Sequence, residues 1–175
     1  MNLKFILAVC FSILLENMAI AQKITKNETD KFTGNAIVET KSEYLFRHNF
    51  MATGYDYAFS FAIRKVNNAI WSMPCNILLR EIEKYDESSG VTFLLENGQT
   101  VNLYTMYTGI GSEKFAQGYF FNTVLSMTDE DISVLKTSKI TDVRINYFGN
   151  HYDYELKGKN QDLVMRMIRL VEATQ

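Results

Sequence analysis

Proline is nearly absent: Pro74 is the only one in 175 residues, which excludes proline-rich linkers and polyproline ligand segments. Histidine is almost as scarce, with His48 and His151 far apart, and cysteine is limited to Cys10 and Cys75. No clustered His/Cys spacing exists to hold a metal, so the sequence predicts no metal site. Charge of one sign is missing too: 18 Lys+Arg against 20 Asp+Glu leave a formal net charge of −2. Nucleic-acid binding needs a clustered basic surface, so no nucleic-acid partner is expected. After residue 21 no apolar run approaches the roughly twenty residues that a membrane-spanning helix needs, so the mature chain should carry no membrane span.

The one long apolar run lies at the N-terminus, and it reads as an export signal. Lys4 supplies the positive start, residues 5–15 are small and apolar, and Ala19-Ile20-Ala21 fits the cleavage pattern before Gln22. Residues 1–21 are therefore expected to be a signal peptide cut between Ala21 and Gln22. That places the protein outside the cytoplasm, in the periplasm or beyond the cell. Cys10 goes with the signal, so an exported chain is left with Cys75 alone and no internal disulfide. Residues 22–30 are polar and read as a flexible tail. Residues 31–175 suit one globular domain.

Alternation then carries most of the fold. Tyr57, Phe59, Phe61 and Ile63 alternate with Ala58, Ser60, Ala62 and Arg64, which gives a strand with an aromatic face turned to the core. Residues 32–40 and 44–51 read as strands without clean alternation. Asn67-Asn68 turns the chain into a strand over 69–73, with Trp71 opposite Arg64, and Pro74 closes it. Residues 76–85 lean to a short helix on the spacing of Leu78, Ile82 and Tyr85, although Ile77-Leu78-Leu79 also suits a buried strand. Residues 86–90 read as a turn.

Asn97-Gly98 marks a hairpin over 91–106. A three-residue loop, Glu96-Asn97-Gly98, matches Phe93 to Val101 and Val91 to Leu103, whereas a two-residue loop would set apolar against polar. Residues 119–127 return to strand. Thr128 with Asp131 three residues on predicts a capped helix whose Ile132 and Leu135 face inward.

A closing hairpin over 139–157 and a helix over 161–173 end the chain. With Gly149-Asn150 as the turn, Tyr147 pairs with Tyr152, Ile145 with Tyr154 and Val143 with Leu156, all on one face. The other face then pairs Arg144 with Glu155, Asp142 with Lys157 and Asn146 with Asp153. In the helix, Leu163, Val164, Met167, Ile168, Leu170 and Val171 recur at helical spacing, with Asn160 as N-cap. Its apolar stripe is expected to cover the hairpin's apolar face. Six to nine hairpin-connected strands with two or three short helices predict an α+β domain. Its sheet is predominantly antiparallel, a sandwich or half-barrel with a packed C-terminal helix.

No catalytic constellation stands out. Cys75 with His48 or His151 is the one conceivable nucleophile–base pair, and no local signature surrounds it. The segment Gly109-Ile110-Gly111-Ser112-Glu113-Lys114 lacks the spacing of a Walker loop and the third glycine of a dinucleotide fingerprint, so no cofactor is expected. As a glycine-rich loop on a sheet it is still the first candidate for binding, through Tyr107, Gly109, Gly111, Ser112, Glu113, Lys114 and Gln117.

Several of these stretches together resemble a group of small secreted proteins of Bacteroidetes. They are Asp30-Lys31-Phe32-Thr33-Gly34, Leu95-Glu96-Asn97-Gly98 with Val101 and Leu103-Tyr104, Ala116-Gln117-Gly118, and Val143-Arg144-Ile145. The resemblance implies a periplasmic or surface location and carries no activity with it. Members of the group often have cysteines in the glycine stretch; residues 107–118 here have none. The sequence thus predicts an exported, non-catalytic domain that binds a protein or glycan partner. Carriage of an apolar ligand beneath the aromatic strand, or hydrolysis by Cys75 and a histidine, are the alternatives.

Overall fold

The computed structural model describes residues 22–50, 54–79, 89–106, 113–115, 118–147 and 149–174. The first half runs β1 Ile24–Thr29, β2 Ala36–Thr40, β3 Glu43–Phe50, β4 Gly54–Phe61, β5 Arg64–Val66 and β6 Ile70–Leu79. There follow β7 Gly90–Leu95, β8 Thr100–Tyr104, β9 Glu113–Phe115, β10 Gly118–Met127 and α1 Asp129–Leu135. β11 Ile140–Tyr147, β12 Asn150–Glu155, a 3-10 turn Gly158–Asn160 and α2 Leu163–Glu172 complete the described elements. Every pairing is antiparallel, in one eight-stranded and one four-stranded sheet. The expected α+β, sheet-dominated class is what forms. More strands appear than expected because short pieces such as β5 and β9 pair separately.

The larger sheet is built on β6. One side of β6 pairs with β10 along its length, from Trp71↔Met127 to Leu79↔Tyr119. The other side is shared: β5 takes Ile70 to Ser72 and β4 takes Cys75 to Leu78. Pro74 sits where the partner changes, so it is a mid-strand residue rather than a strand end. Its carbonyl accepts from the Ala62 N–H at 2.9 Å. In an antiparallel strand a residue's N–H and C=O point to the same neighbour, so the N–H that proline lacks falls at the break between β4 and β5. The run from Asn76 to Leu79 also belongs to β6, not to a helix. Buried on both sheet faces, it loses the polar alternation that would have marked it as a strand. The remainder of that expected helix, residues 80–85, lies outside the described residues, as does most of the expected turn over 86–90.

Residues 24–29 form β1 along β2, not a loose tail. Most of its side chains are exposed, which explains why its polarity was misleading. β2 begins at Ala36 because Asp30 accepts from the N–H groups of Phe32 and Thr33 at 2.9 and 2.8 Å and turns the chain first. Asn67 and Asn68 both take positive φ (53° and 59°), as a tight turn between right-twisted strands requires. The loop is one residue longer than expected, so Trp71 faces Lys65, whose Nζ lies 4.7 Å from the ring, and not Arg64.

The smaller sheet runs β12-β11-β7-β8. β7 and β8 pair Phe93 with Val101 and Val91 with Leu103, the expected three-residue-loop register, with Gly98 at φ +82°. The closing hairpin differs by two residues: Ile145 pairs with Tyr152, Val143 with Tyr154, and Tyr147 with Asn150. Gly149, at φ +77°, therefore precedes the first paired residue instead of opening the turn. A shift of two keeps every side chain on its expected face but changes its partner. Arg144 meets Asp153 through two 2.7 Å hydrogen bonds, and Asn146 meets His151.

The sheets face each other over one core that includes Phe59, Phe61, Ile77, Phe93, Val143, Ile145 and Leu156. At one side Thr105 bridges to Leu125, joining the end of β8 to β10. At the other, the rings of β12 stack on the large sheet: Tyr154 on Phe46 at 4.1 Å and Tyr152 on Tyr57 at 4.6 Å. The tyrosines of the hairpin thus meet β3 and β4 rather than the C-terminal helix. α2 buries Leu163, Val164, Met167, Ile168 and Val171 in the same core and approaches β2 and α1. α1 carries the expected capping box, with Asp131 N–H donating to Thr128 Oγ1 and Thr128 N–H to Asp131 Oδ2.

Candidate functional site

Most of the glycine-rich loop proposed from sequence, including Tyr107, Gly109, Gly111, Ser112 and Gln117, lies outside the described residues. Glu113 and Lys114 fall within β9, paired with Phe120 and Tyr119. Ala21, the residue before the expected cleavage, is likewise outside; Gln22 is the first described residue.

The histidines and the cysteine are not brought together. His48 pairs with Tyr57, whereas Cys75 pairs with Phe61, four residues further along β4. At about 3.3 Å per residue the two are separated by roughly 13 Å along the strand alone. Cys75 is buried, its Sγ donates to the Met73 carbonyl at 3.1 Å, and burial holds the thiol well above its usual pKa. His151 is exposed on the outer face of β12, 3.8 Å from Asp153. Among the described residues no three His, Cys, Asp or Glu side chains gather as a metal site, and no helix is long and apolar enough to cross a membrane.

A different site emerges where β3, β12 and the start of α2 converge. A bulge in β3 between Tyr44 and Phe46 breaks the alternation, so Leu45 and Phe46 are both buried while Tyr44 and Arg47 remain outside. Bulges re-aim side chains in this way, often beside sites. Arg47 lies over the Tyr44 ring, with Cζ 5.5 Å from its centre. Phe46 stacks beneath Tyr154. On the far side, the chain after β12 makes the 3-10 turn Gly158–Asn160 before α2, so Asn160 is not the N-cap. That position falls to Asp162, which makes no side-chain cap. The turn sets Lys159 and Asn160 opposite β3. The result is a pocket of about 390 Å³ lined by Gln22, Glu43, Tyr44, Phe46, Arg47, Tyr154, Lys159, Asn160, Leu163 and Arg166.

Arg166 anchors the polar wall. Its Nη2 donates to the Lys159 carbonyl at 2.9 Å and its Nε to the Asp162 carbonyl at 3.4 Å. Asp162 Oδ1 is 3.2 Å from the same Nε, an ion pair without hydrogen-bond geometry because that N–H is directed at the backbone. Nη1 is buried with no hydrogen-bond partner, and so are Gln22 Nε2 and the acceptor Asp162 Oδ1. Two orphaned donors in one pocket are unusual, because unsatisfied buried polar groups are rare. Three cations, Arg47, Lys159 and Arg166, face one carboxylate, Glu43, which itself lies 3.8 Å from Lys41.

A second pocket of about 460 Å³ lies on the outer face of the smaller sheet, between Gly90, Asn102, Asn146 and His151. Its polar groups satisfy one another: Asn146 Nδ2 donates to Thr92 Oγ1 at 3.0 Å and Thr92 Oγ1 to Asn102 Oδ1 at 2.7 Å. Among the described residues, the buried donors without partners, Arg166 Nη1 and Gln22 Nε2, belong to the β3–α2 pocket. No family model, curated protein or solved structure matches the chain.

Sequence reasoning gave Tyr44, Arg47, Lys159 and Arg166 no part in a site and took Gln22 only as the residue after the expected cleavage. The spacing of Asp162 and Arg166 signals an i,i+4 pair. Nothing in one dimension signals that Nη1 is left over, because that depends on where the turn Gly158–Asn160 directs its carbonyls.

Proposed function

We propose that this chain is an exported, non-catalytic domain, periplasmic or extracellular, that binds a glycan in the β3–α2 pocket. The pocket itself carries the reading. Its volume lies within the range of about 300–1,000 Å³ typical of small-molecule sites, far below what a protein partner covers. Aromatic surface from Tyr44 and Tyr154 suits the C–H faces of a sugar ring, while Asn160, Gln22 and the guanidinium groups suit its hydroxyls. The export signal read in residues 1–21 puts such a domain where glycans are met.

The two other readings lose their support. The aromatic strand that suggested an apolar carrier spends its rings on packing: Phe59 and Phe61 are fully buried, 6.0 Å apart. The Cys75 hydrolase has a buried, protonated thiol and a remote base. Titrating the labelled protein with a glycan library and following amide shifts by NMR tests the proposal. Shifts clustering at Tyr44, Arg47, Tyr154 and Arg166 support it. Saturable binding only elsewhere, or turnover of a sugar, counts against it.

A further inference from the structure

Resting on the export part of that reading, we infer that Gln22 becomes a pyroglutamyl residue once cleavage after Ala21 makes it the first residue. The mature chain then begins with a neutral lactam in the wall of the β3–α2 pocket. A glutamine at a free N-terminus carries its own electrophile. The lone pair of the uncharged α-amine attacks Cδ of the side-chain amide, and an N–Cδ bond forms. The Cδ–Nε2 bond breaks, one proton passes from the α-nitrogen to Nε2, and ammonia leaves. No oxidant, reductant or second substrate is needed. Both reacting groups sit on one residue, so the step has the advantage of an intramolecular reaction.

Two features of the fold favour the lactam over the open glutamine. The atom that the reaction expels is Nε2, which is buried without a hydrogen-bond partner. A buried donor left unpaired is destabilising, and the lactam dispenses with that NH2, keeping the carbonyl and one N–H on the former α-nitrogen. Charge is the second feature. Gln22 lines the pocket with Arg47, Lys159 and Arg166, and the carboxylates near them are Glu43 in the lining and Asp162 paired to Arg166. Cleavage without cyclisation would add an α-ammonium to this wall, where like charges disfavour it. The same charges favour the uncharged amine, which is the form that attacks. The N-terminus is held in place as well. Lys41 N–H donates to the Lys23 carbonyl at 2.6 Å and Ile24 pairs with Thr40, so the chain is tied to the sheet from the residue after Gln22.

The experiment is intact-mass and N-terminal fragment analysis of the protein recovered from cells that express the full chain. Nearly every molecule should begin at residue 22 and be lighter than the cleaved sequence by one ammonia, with the loss placed at that residue. Cleaved chains with an open, amine-reactive Gln22 overturn the inference and leave the export reading standing. Chains that keep residues 1–21, or that start elsewhere, overturn both. Gln22→Asn, whose shorter side chain would need a strained ring, should be cleaved at the same place and keep its ammonia. Ammonia still lost from that variant assigns the loss to another residue and overturns the inference. The position in the wall has its own readout. A pyroglutamyl peptidase should release the lactam from the peptide 22–28, cut out after Glu28, at least about tenfold faster than from the folded protein, where release waits on local opening. Equal rates would overturn the placement of the lactam in the pocket wall.

Discussion

The Tyr154 ring lies stacked on Phe46, centroids 4.1 Å apart and planes 12° from parallel. This contact ties the closing hairpin to the larger sheet and at the same time forms a wall of the pocket. Aromatic pairs contribute about 0.5–1.5 kcal/mol beyond the area they bury. A double-mutant cycle on Phe46→Leu and Tyr154→Leu should therefore return a coupling of about 1 kcal/mol in urea unfolding. Coupling indistinguishable from zero would mean that the sheets meet without this stack.

The hairpin register gives a second prediction. With Ile145 opposite Tyr152 and Val143 opposite Tyr154, cross-strand NOEs should connect those pairs, and Asn146 should be close to His151. NOEs from Ile145 to Tyr154 as directly opposed residues, the pairing that a Gly149-Asn150 turn demands, would displace this register. The Arg144–Asp153 bridge provides a further reading of the same geometry. The guanidinium holds the Asp153 carboxyl below its usual pKa, chiefly by hydrogen bonding. By linkage that contribution to stability is present above the ordinary carboxylate pKa and disappears as pH falls through the lowered one.

That hairpin also shows how far the sequence could be read. Period-two alternation settles which face a residue occupies, and a slip of two leaves it unchanged, so Val143, Ile145, Tyr152 and Tyr154 were legible as one face. The turn decides the partner, and a single glycine next to an asparagine fits two placements. Where glycine must be left-handed within a fixed loop, as at Gly98, sequence settled register as well. β6 was legible only as far as Met73, for a different reason. A strand covered on both faces has no polar alternation, and its lone proline suggests an end unless the change of neighbour from β5 to β4 is known. The candidate site was scarcely legible, because it depends on a bulge in β3, a 3-10 turn and polar atoms of Gln22, Asp162 and Arg166 left without partners.

Cys75 should be chemically silent. Its thiol is buried, bonded to the Met73 carbonyl and protonated at neutral pH because burial disfavours the thiolate. A disulfide thiol reagent should label the native protein no faster than it unfolds and label it at once in denaturant. Rapid labelling without denaturant would show that the thiol is reached through the pocket that Cys75 lines with Thr40, Pro74 and Thr123.

Tyr152 supplies the last prediction, at alkaline pH. Its phenol is pushed from 10.0 up to about 12, first by burial and then by the neighbouring Tyr57 and Tyr154. The raised value means that the folded state favours the protonated phenol, while the unfolded chain ionises at the ordinary value. Stability from this group is thus complete below pH 10.0 and drains away as pH rises towards about 12. Spectrophotometric titration should show one tyrosine ionising later than the exposed ones, and Tyr152→Phe should remove that late step. The same variant should lose less stability than wild type across this interval, measured as the urea midpoint at each pH, while matching it more closely at neutral pH. A late step that persists in Tyr152→Phe would assign it to another ring, and the stacked partner Tyr57, 4.6 Å away, would be the next to replace.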